Sequence, residues 1–199
     1  MRNVALFIAI FITLTSTPLK AADSKGSFAV RNAGMTTCQR FVDEKKKNSP
    51  VFNLYMGWID GYISAANQYT ADTYDLIPWG NTAFLATLLQ NHCSKHPDQR
   101  FYVAVNQLAA AMLDQRLVTR SEMIETSNKG KKTHIYKSIL LKVQLHLREL
   151  KMYTGKADGE YGPGTRSALE MFQKESGLAV TGLPDQLTLY KVFQKLNAK

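Results

Sequence analysis

One loop sets the organisation of the C-terminal third of the chain. It reads Gly155-Lys156-Ala157-Asp158-Gly159-Glu160-Tyr161-Gly162-Pro163-Gly164-Thr165. Asp158-Gly159 is a strong turn dipeptide, and Pro163 suits the first turn of a helix. A second connection, residues 177–188, repeats the order of a glycine, an apolar residue, a tight turn and a threonine inside the next helix. The pattern indicates a duplicated helix-turn unit that is too short for a solenoid.

Apolar residues at helical spacing predict three helices around these loops, over about 135–152, 163–176 and 184–196. The segment resembles the peptidoglycan-binding domain of the PGBD type, a compact three-helix module attached to many cell-wall enzymes. The residues that carry this resemblance are Val143, Gln144, Leu147, Leu150, Tyr153-Thr154-Gly155, Asp158-Gly159, Tyr161-Gly162-Pro163, Thr165, Ala168-Leu169, Phe172-Gln173, Gly177-Leu178, Val180-Thr181-Gly182, Asp185 and Thr188.

A wall polymer of glycan and peptide offers hydroxyls, amides, carboxylates and apolar sugar faces. A cleft for it needs an aromatic platform and forked hydrogen-bonding groups, and Arg can bind a stem-peptide carboxylate with two parallel bonds. Five candidates of these types are Gln144, Tyr153, Tyr161, Arg166 and Gln173. The alternative is structural, with Tyr161 in the core and Asp158 only shaping its turn. Asp158 and Glu160 share one tight loop, which does not favour a glycosidase pair.

Upstream, the spacing of apolar residues predicts four helices, over about 34–47, 50–69, 81–94 and 98–117. The cysteines Cys38 and Cys93 are the only two in the chain, and both fall near predicted helix ends. In an oxidising compartment they predict a disulfide between the first and third helices. His92 and His96 could share a helix face with a metal, but no Glu completes a zinc motif, so we predict no metal site and no cofactor.

The N-terminal helical region resembles the HdeA-like class of small periplasmic domains, which includes acid-stress chaperones and immunity proteins against cell-wall amidases of type VI secretion. The resemblance covers about 34–115 and depends on two cysteines about 55 apart with the run Gly57-Trp58-Ile59-Asp60-Gly61-Tyr62 between them. It implies protein binding, with Trp58, Asp60 and Trp79 as candidate surface anchors. The alternative for each Trp is core packing.

The first residues predict export. Arg2, an apolar stretch over 4–14 and a small residue at Ala21 follow the order of a secretory signal peptide over residues 1–21. An uncleaved anchor is the alternative, although the apolar stretch is about half a bilayer span. We therefore expect a periplasmic or secreted protein without stable membrane insertion after signal cleavage.

The excess positive charge lies in one part of the chain. Residues 22–128 hold ten basic and ten acidic residues, whereas residues 129–199 hold thirteen basic and six acidic ones. The second region therefore carries +7. Outside the cytoplasm such a surface meets anionic wall polymer or lipid more readily than DNA, and no nucleic-acid motif is present.

These observations predict an all-α fold with four parts. They are a signal peptide (1–21), a disulfide-linked helical domain (22–125), a polar linker (126–133) and a compact three-helix peptidoglycan-binding domain (134–199). The linker is predicted because its residues are polar, include Gly130 and lack large apolar side chains.

The sequence predicts an exported, non-catalytic wall-binding protein whose N-terminal domain binds another protein, such as a cell-wall hydrolase or an envelope protein. One alternative is an inhibitor or immunity protein against a cell-wall hydrolase. Another is a wall-lytic enzyme with an unrecognised catalytic domain, for which Glu44, Glu122 and Glu125 are the only N-terminal glutamates. We predict no catalytic residue, because no nucleophile elbow or paired nucleophile and base is present.

Overall fold

The computed structural model describes residues 22–197, with side chains described to residue 194, so the predicted signal peptide over 1–21 lies outside the described residues. Two units are distinguished. In the first, the described residues 22–30 contain a turn in which Asp23 Oδ1 accepts a hydrogen bond from the Ser27 amide at 2.8 Å. The second unit begins at Arg31 and contains all the helices and strands described below.

Four helices form the first part of this second unit, and they lie close to the predicted positions. A 3₁₀ turn at Asn32–Met35 precedes them, and another at Leu113–Gln115 follows the fourth helix. The helices are α1 (Cys38–Lys46), α2 (Pro50–Tyr69), α3 (Thr82–Cys93) and α4 (Phe101–Met112). Thr37 caps α1 and Asn81 caps α3, each by accepting a backbone hydrogen bond.

The disulfide predicted between Cys38 and Cys93 is present and joins α1 to α3. Beside it lies an aromatic core in which the rings of Phe41, Tyr55 and Phe101 are fully or almost fully buried. The Phe41 and Phe101 centroids are 4.6 Å apart, and the Tyr55 ring meets Phe101 edge-on at 5.0 Å. Closing a chain of 55 residues stabilises the folded state by about 4 kcal/mol in the chain-entropy treatment.

The segment that was predicted to be a linker forms most of a β-hairpin, so the prediction of an all-α fold was wrong. Strands β1 (Met123–Asn128) and β2 (Lys131–Tyr136) pair antiparallel across a two-residue turn. Both turn residues, Lys129 and Gly130, have positive φ (49° and 74°), as a type I′ turn requires. The fold is mostly helical with one small sheet, and the division into domains stays a prediction.

Three further helices complete the second unit and match the predicted trio. They are α5 (Lys137–Glu149), α6 (Pro163–Glu175) and α7 (Gln186–Asn197). Buried residues on their facing sides include Leu140, Leu169 and Val192. Among the described residues, no helix combines the length and apolar character that crossing a membrane requires.

One loop of the N-terminal region packs on the last helix. The Trp79 ring stacks on Phe193 with centroids 5.3 Å apart. Gln186 of α7 accepts a hydrogen bond from the Asn81 amide at 2.9 Å and donates to the Trp79 carbonyl. The N-terminal helices and the C-terminal helices therefore share an interface within one unit.

Candidate functional site

Gln144 on α5 holds the first duplicated loop in place. Its Oε1 accepts hydrogen bonds from the amides of Asp158 (3.0 Å) and Gly159 (2.7 Å). Its Nε2 donates to the Glu160 carbonyl and to Thr165 Oγ1, both at 2.9 Å. The side chain is 0% exposed, so all of its polar capacity is used inside the protein.

Gln173 on α6 does the same for the second loop. Its Oε1 accepts a bond from the Gly182 amide at 2.8 Å, and its Nε2 donates to the Leu183 carbonyl at 2.9 Å. The same Nε2 lies within hydrogen-bond distance of Thr181 Oγ1 and Thr188 Oγ1. Gln173 is also 0% exposed.

The two glutamines therefore do not lie on the surface where ligand contact was predicted for them. Each satisfies the backbone of a tight loop that would otherwise be buried without hydrogen-bond partners, which is costly. The two loops are also equivalent in the hydrogen bond that a side chain accepts within the turn. Asp158 Oδ1 accepts from the Glu160 amide at 3.0 Å, and Thr181 Oγ1 accepts from the Leu183 amide at 3.2 Å.

The three other predicted ligand residues are partly exposed near the start of α6. Tyr161 donates its hydroxyl proton to the Gly182 carbonyl at 2.7 Å, which ties the first loop to the second. Arg166 borders the same glycine, because a Cβ built there would lie 2.9 Å from the Arg166 Cγ. Tyr153 donates to the Lys156 carbonyl at 2.8 Å, and its ring flanks Gly164.

We call these three residues, Tyr153, Tyr161 and Arg166, the α6 surface. Burial raises the pKa of the Tyr161 hydroxyl, with Arg166 acting in the opposite direction and Glu170 reinforcing the rise. The tyrosine therefore stays a neutral hydrogen-bonding group at neutral pH. Glu170 Oε1 also lies 3.8 Å from Lys129 Nζ, which belongs to the hairpin turn. The surface combines aromatic rings with one guanidinium, as recognition of sugar faces and carboxylates requires.

The hairpin turn borders this surface and was not predicted from the sequence. Asn128 Nδ2 donates to the Thr181 carbonyl at 2.7 Å and so fixes the second loop from outside. The dipeptide Lys129-Gly130 is not among the strong hairpin-turn dipeptides, so the sequence carried no clear signal for this turn beyond its glycine.

The three candidate protein anchors in the N-terminal region differ in exposure. Trp79 is 6% exposed and donates from Nε1 to Gln115 Oε1 at 2.8 Å, so it is a core residue in this structure and does not lie on the surface. It is buried because Phe193, far along the chain, covers its ring. Asp60 is exposed and accepts a bond from Thr82 Oγ1.

Trp58 lies at the edge of an open cavity on α2. Its ring is partly buried, stacks on Tyr62 at 5.6 Å, and its Nε1 donates to the Arg31 carbonyl at 3.0 Å. The cavity measures about 730 Å³ and is bordered by Arg40 and the exposed Leu54. Trp58 is therefore the predicted anchor that contacts an open space of ligand size.

The described residues contain no cluster of His, Cys, Asp or Glu with the makings of a metal site. Of the glutamates weighed for lytic chemistry, Glu44 accepts a hydrogen bond from Ser49, and Glu125 pairs with Lys132 at 2.8 Å. Glu122 uses its backbone carbonyl to accept the Lys137 amide at 2.8 Å.

Comparison with known proteins agrees with the C-terminal prediction. Residues 138–192 match the family described as putative peptidoglycan binding domain. The prediction of a peptidoglycan-binding domain in the C-terminal third is thereby confirmed. The resemblance of residues 34–115 to the HdeA-like class stays a prediction.

One curated relative is a spore cortex-lytic enzyme of Oceanobacillus iheyensis, 41% identical over 58 residues. Those residues are 29% of this chain and 21% of that enzyme, so the chain spans about a fifth of its relative's length. No solved structure matches significantly.

Proposed function

We propose that the protein is an exported, non-catalytic peptidoglycan-binding protein. The α6 surface binds the wall polymer, and the N-terminal helices bind another protein. The observation that carries the proposal is the family match over 138–192 together with the meeting of Tyr161 and Arg166 at Gly182, between two loops that buried glutamines hold in place.

The chemistry of the α6 surface supports this assignment. Tyrosine rings offer flat apolar faces to sugars, and a guanidinium binds a carboxylate more strongly than a neutral donor does. The basic balance of residues 129–199, with thirteen basic and six acidic residues, adds attraction toward an anionic polymer. The disulfide between Cys38 and Cys93 is in keeping with a periplasmic or secreted location.

A second candidate function is wall lysis, which the cortex-lytic relative favours by its name. It requires a catalytic carboxylate in residues 22–125, where the glutamates are Glu44, Glu122 and Glu125. Replacing each by Gln in turn and measuring release of soluble fragments from sacculi tests it. Lysis by the unchanged protein that one of the three variants abolishes would replace the non-catalytic proposal.

The wall-binding proposal is tested by co-sedimentation of the chain from residue 22 with purified peptidoglycan sacculi across a salt series. Arg166→Ala is expected to weaken binding at least tenfold, because a charge-assisted hydrogen bond contributes roughly 1.5–3 kcal/mol and about 1.4 kcal/mol is tenfold in affinity. Arg148→Ala is the matched control, since it removes the same charge from an exposed position on α5. We expect it to change binding less than twofold.

The salt series separates specific recognition from charge attraction. Binding that persists at moderate salt and that depends on Arg166 supports the proposal. Equal losses in the two arginine variants, with binding gone at modest salt, would reduce the interaction to net charge. A chain that does not sediment at all would overturn wall binding and leave the inhibitor or immunity alternative for the N-terminal helices.

A further inference from the structure

A groove runs between the hairpin and the junction of the two helical regions, and none of Tyr153, Tyr161 and Arg166 lines it. It has a volume of about 580 Å³. Three segments line it, the loop 75–81, all six residues of β2, and the connection 181–189, together with Met123 of β1. Because a whole strand lies along one wall, the groove is bordered by the backbone edge of β2.

The register shows which backbone groups of β2 face the groove. A two-residue turn makes Asn128 and Lys131 a hydrogen-bonded pair, and such pairs alternate along an antiparallel ladder. The Lys137 amide donates to the Glu122 carbonyl at 2.8 Å, which fits this alternation. The amides and carbonyls of Lys132 and His134 therefore point away from β1, toward the free edge.

No backbone hydrogen bond joins Lys132 or His134 to another element within residues 22–197. The strand edge is thus an open template of alternating donors and acceptors. Another extended peptide backbone matches both kinds of group at the spacing of a strand. Six residues span about 20 Å at strand rise, which suits a segment of five or six amino acids.

The opposite wall offers apolar contact and few unused polar groups. Ile77, Leu183 and Pro184 line it and are themselves packed. Its carboxylates already accept hydrogen bonds, Asp185 from Thr181 and Thr188, and Asp75 from the Ile77 amide at 3.1 Å. Every second side chain of an added strand would face these apolar residues.

The charge of the hairpin indicates the other side chains of the occupant. Lys131 and Lys132 line the groove from β2, and Lys132 pairs with Glu125 at 2.8 Å. Lys129 at the turn is paired with Glu170 outside the groove, and Asp75 and Asp185 on the opposite wall accept hydrogen bonds from their own loops. A segment that alternates acidic and apolar residues complements both the lysines and the apolar wall.

We infer that the free edge of β2 binds an extended acidic segment of a partner protein by strand addition in this groove. The inference goes beyond wall binding and does not depend on it, because the α6 surface and the β2 edge are formed by different residues. It gives the proposed protein partner a binding mode and a chemical class.

The test uses two synthetic peptides, acetyl-(Glu-Val)₃-amide and acetyl-(Lys-Val)₃-amide, with the ¹⁵N-labelled chain from residue 22. The acidic peptide is expected to bind at least tenfold more tightly than the basic one. It should slow amide exchange of Lys132 and His134 at least tenfold. The outward-facing amides of Ser127 and Glu125 on β1 should exchange as before.

A proline pair provides the matched control. His134→Pro removes an outward donor of β2 and is expected to weaken binding of the acidic peptide at least tenfold, because an edge strand tolerates a proline whose missing donor faces outward. Ser127→Pro does the same on β1 and should change the affinity less than twofold. Should the proline variants not fold, Lys131→Glu is expected to weaken the acidic peptide about fivefold and to strengthen the basic one.

Four outcomes would overturn the inference. The first two are equal affinity for both peptides and slowed amide exchange on β1 alone. The other two concern the Lys132 and His134 amides: slowed exchange without peptide that increases with protein concentration, and slowed exchange with soluble muropeptides but not with the acidic peptide. The third would mean a second copy of the chain on the edge, and the fourth a wall ligand. Sacculus binding is measured on His134→Pro in parallel, and we expect it to be retained, so the two proposals succeed or fail separately.

Discussion

The loops held by Gln144 and Gln173 use the same hydrogen bonds in different surroundings. In each, a buried glutamine accepts from a loop amide and donates to a loop carbonyl and a threonine. Asp158 and Glu160 of the first loop are exposed, whereas their counterparts Thr181 and Leu183 in the second are partly buried and buried. The glycine between them, Gly159 or Gly182, is buried in both loops. The residues flanking the first turn glycine therefore face solvent, and those flanking the second are covered.

The second loop is buried because other parts of the chain cover it. The hairpin contributes Asn128, which donates to Thr181, and the connection that follows carries Gln186 onto the loop at Trp79. The first loop has an ion pair between Lys137 and Glu160 at its surface. The buried glutamine fixes the shape of each loop. The distant segments that pack on the loop decide whether a ligand can reach it.

Removing the glutamines should give the largest effect and should separate the two loops. Gln173→Ala is expected to lower the free energy of unfolding by about 3 kcal/mol and Gln144→Ala by about 2 kcal/mol, because water can reach the amides of the more exposed first loop. Urea denaturation measures both. The exposed Gln194 on α7 provides the control, since Gln194→Ala should change stability by less than about 0.5 kcal/mol. Equal, small losses in all three would contradict the bonding scheme.

The two turn glycines sharpen the comparison, because both have positive φ but different neighbours. A Cβ on Gly159 (φ 74°) would lie 2.5 Å from the Lys137 carbonyl oxygen, which is backbone. On Gly182 (φ 68°) it would meet side chains, Asn128 at 2.8 Å and Arg166 at 2.9 Å. We expect Gly159→Ala to cost about 3 kcal/mol and Gly182→Ala about 2 kcal/mol.

A second readout distinguishes the glycine variants. Gly182→Ala displaces Arg166, so it should weaken sacculus binding in co-sedimentation, whereas Gly159→Ala should leave the binding of the folded protein unchanged. The reverse order of binding losses would place the ligand away from Arg166 and contradict the assignment of that residue to the α6 surface.

The smallest effect is a difference in pH dependence. The Glu160 amide holds the pKa of Asp158 below its usual range, with further help from Gln144. A lowered folded-state pKa gives stability that is present above about pH 4 and is lost as pH falls through the folded pKa. Replacing Asp158 by Asn should therefore destabilise the protein at neutral pH and cease to matter at low pH.

Thr181 is the counterpart in the second loop and does not titrate. Thr181→Val should destabilise the protein at neutral pH by about 1 kcal/mol, because it removes the acceptor of the Leu183 amide and the donor to Asp185. Urea denaturation at pH 7 measures this loss. A loss in Asp158→Asn that is as large at pH 2 as at pH 7 would contradict the role of the turn carboxylate.

Much of the fold could be predicted from the sequence because helices and tight turns are local. Apolar spacing located α2 and α6, and Pro50 and Pro163 both occupy the first helical position. The pairing of Cys38 with Cys93 followed from the presence of only two cysteines.

The roles of single polar residues could not be predicted in this way. A glutamine on a helix has the same local pattern whether it faces solvent or a loop fourteen residues away, so Gln144 was assigned to the surface. The hairpin was missed because the polar residues over 126–133 are typical of linkers, and only pairing across Lys129-Gly130 makes them strands.

The sequence by itself determined the seven α-helices within residues 22–197, the disulfide and the duplicated turns. These depend on neighbours within a few residues or on a unique pair of cysteines. Only the tertiary structure decided that Trp79 is covered by Phe193, that Gln144 and Gln173 are buried, and that β2 keeps a free edge. Each of these depends on which distant segments come together, and burial is a property of that assembly, not of local sequence.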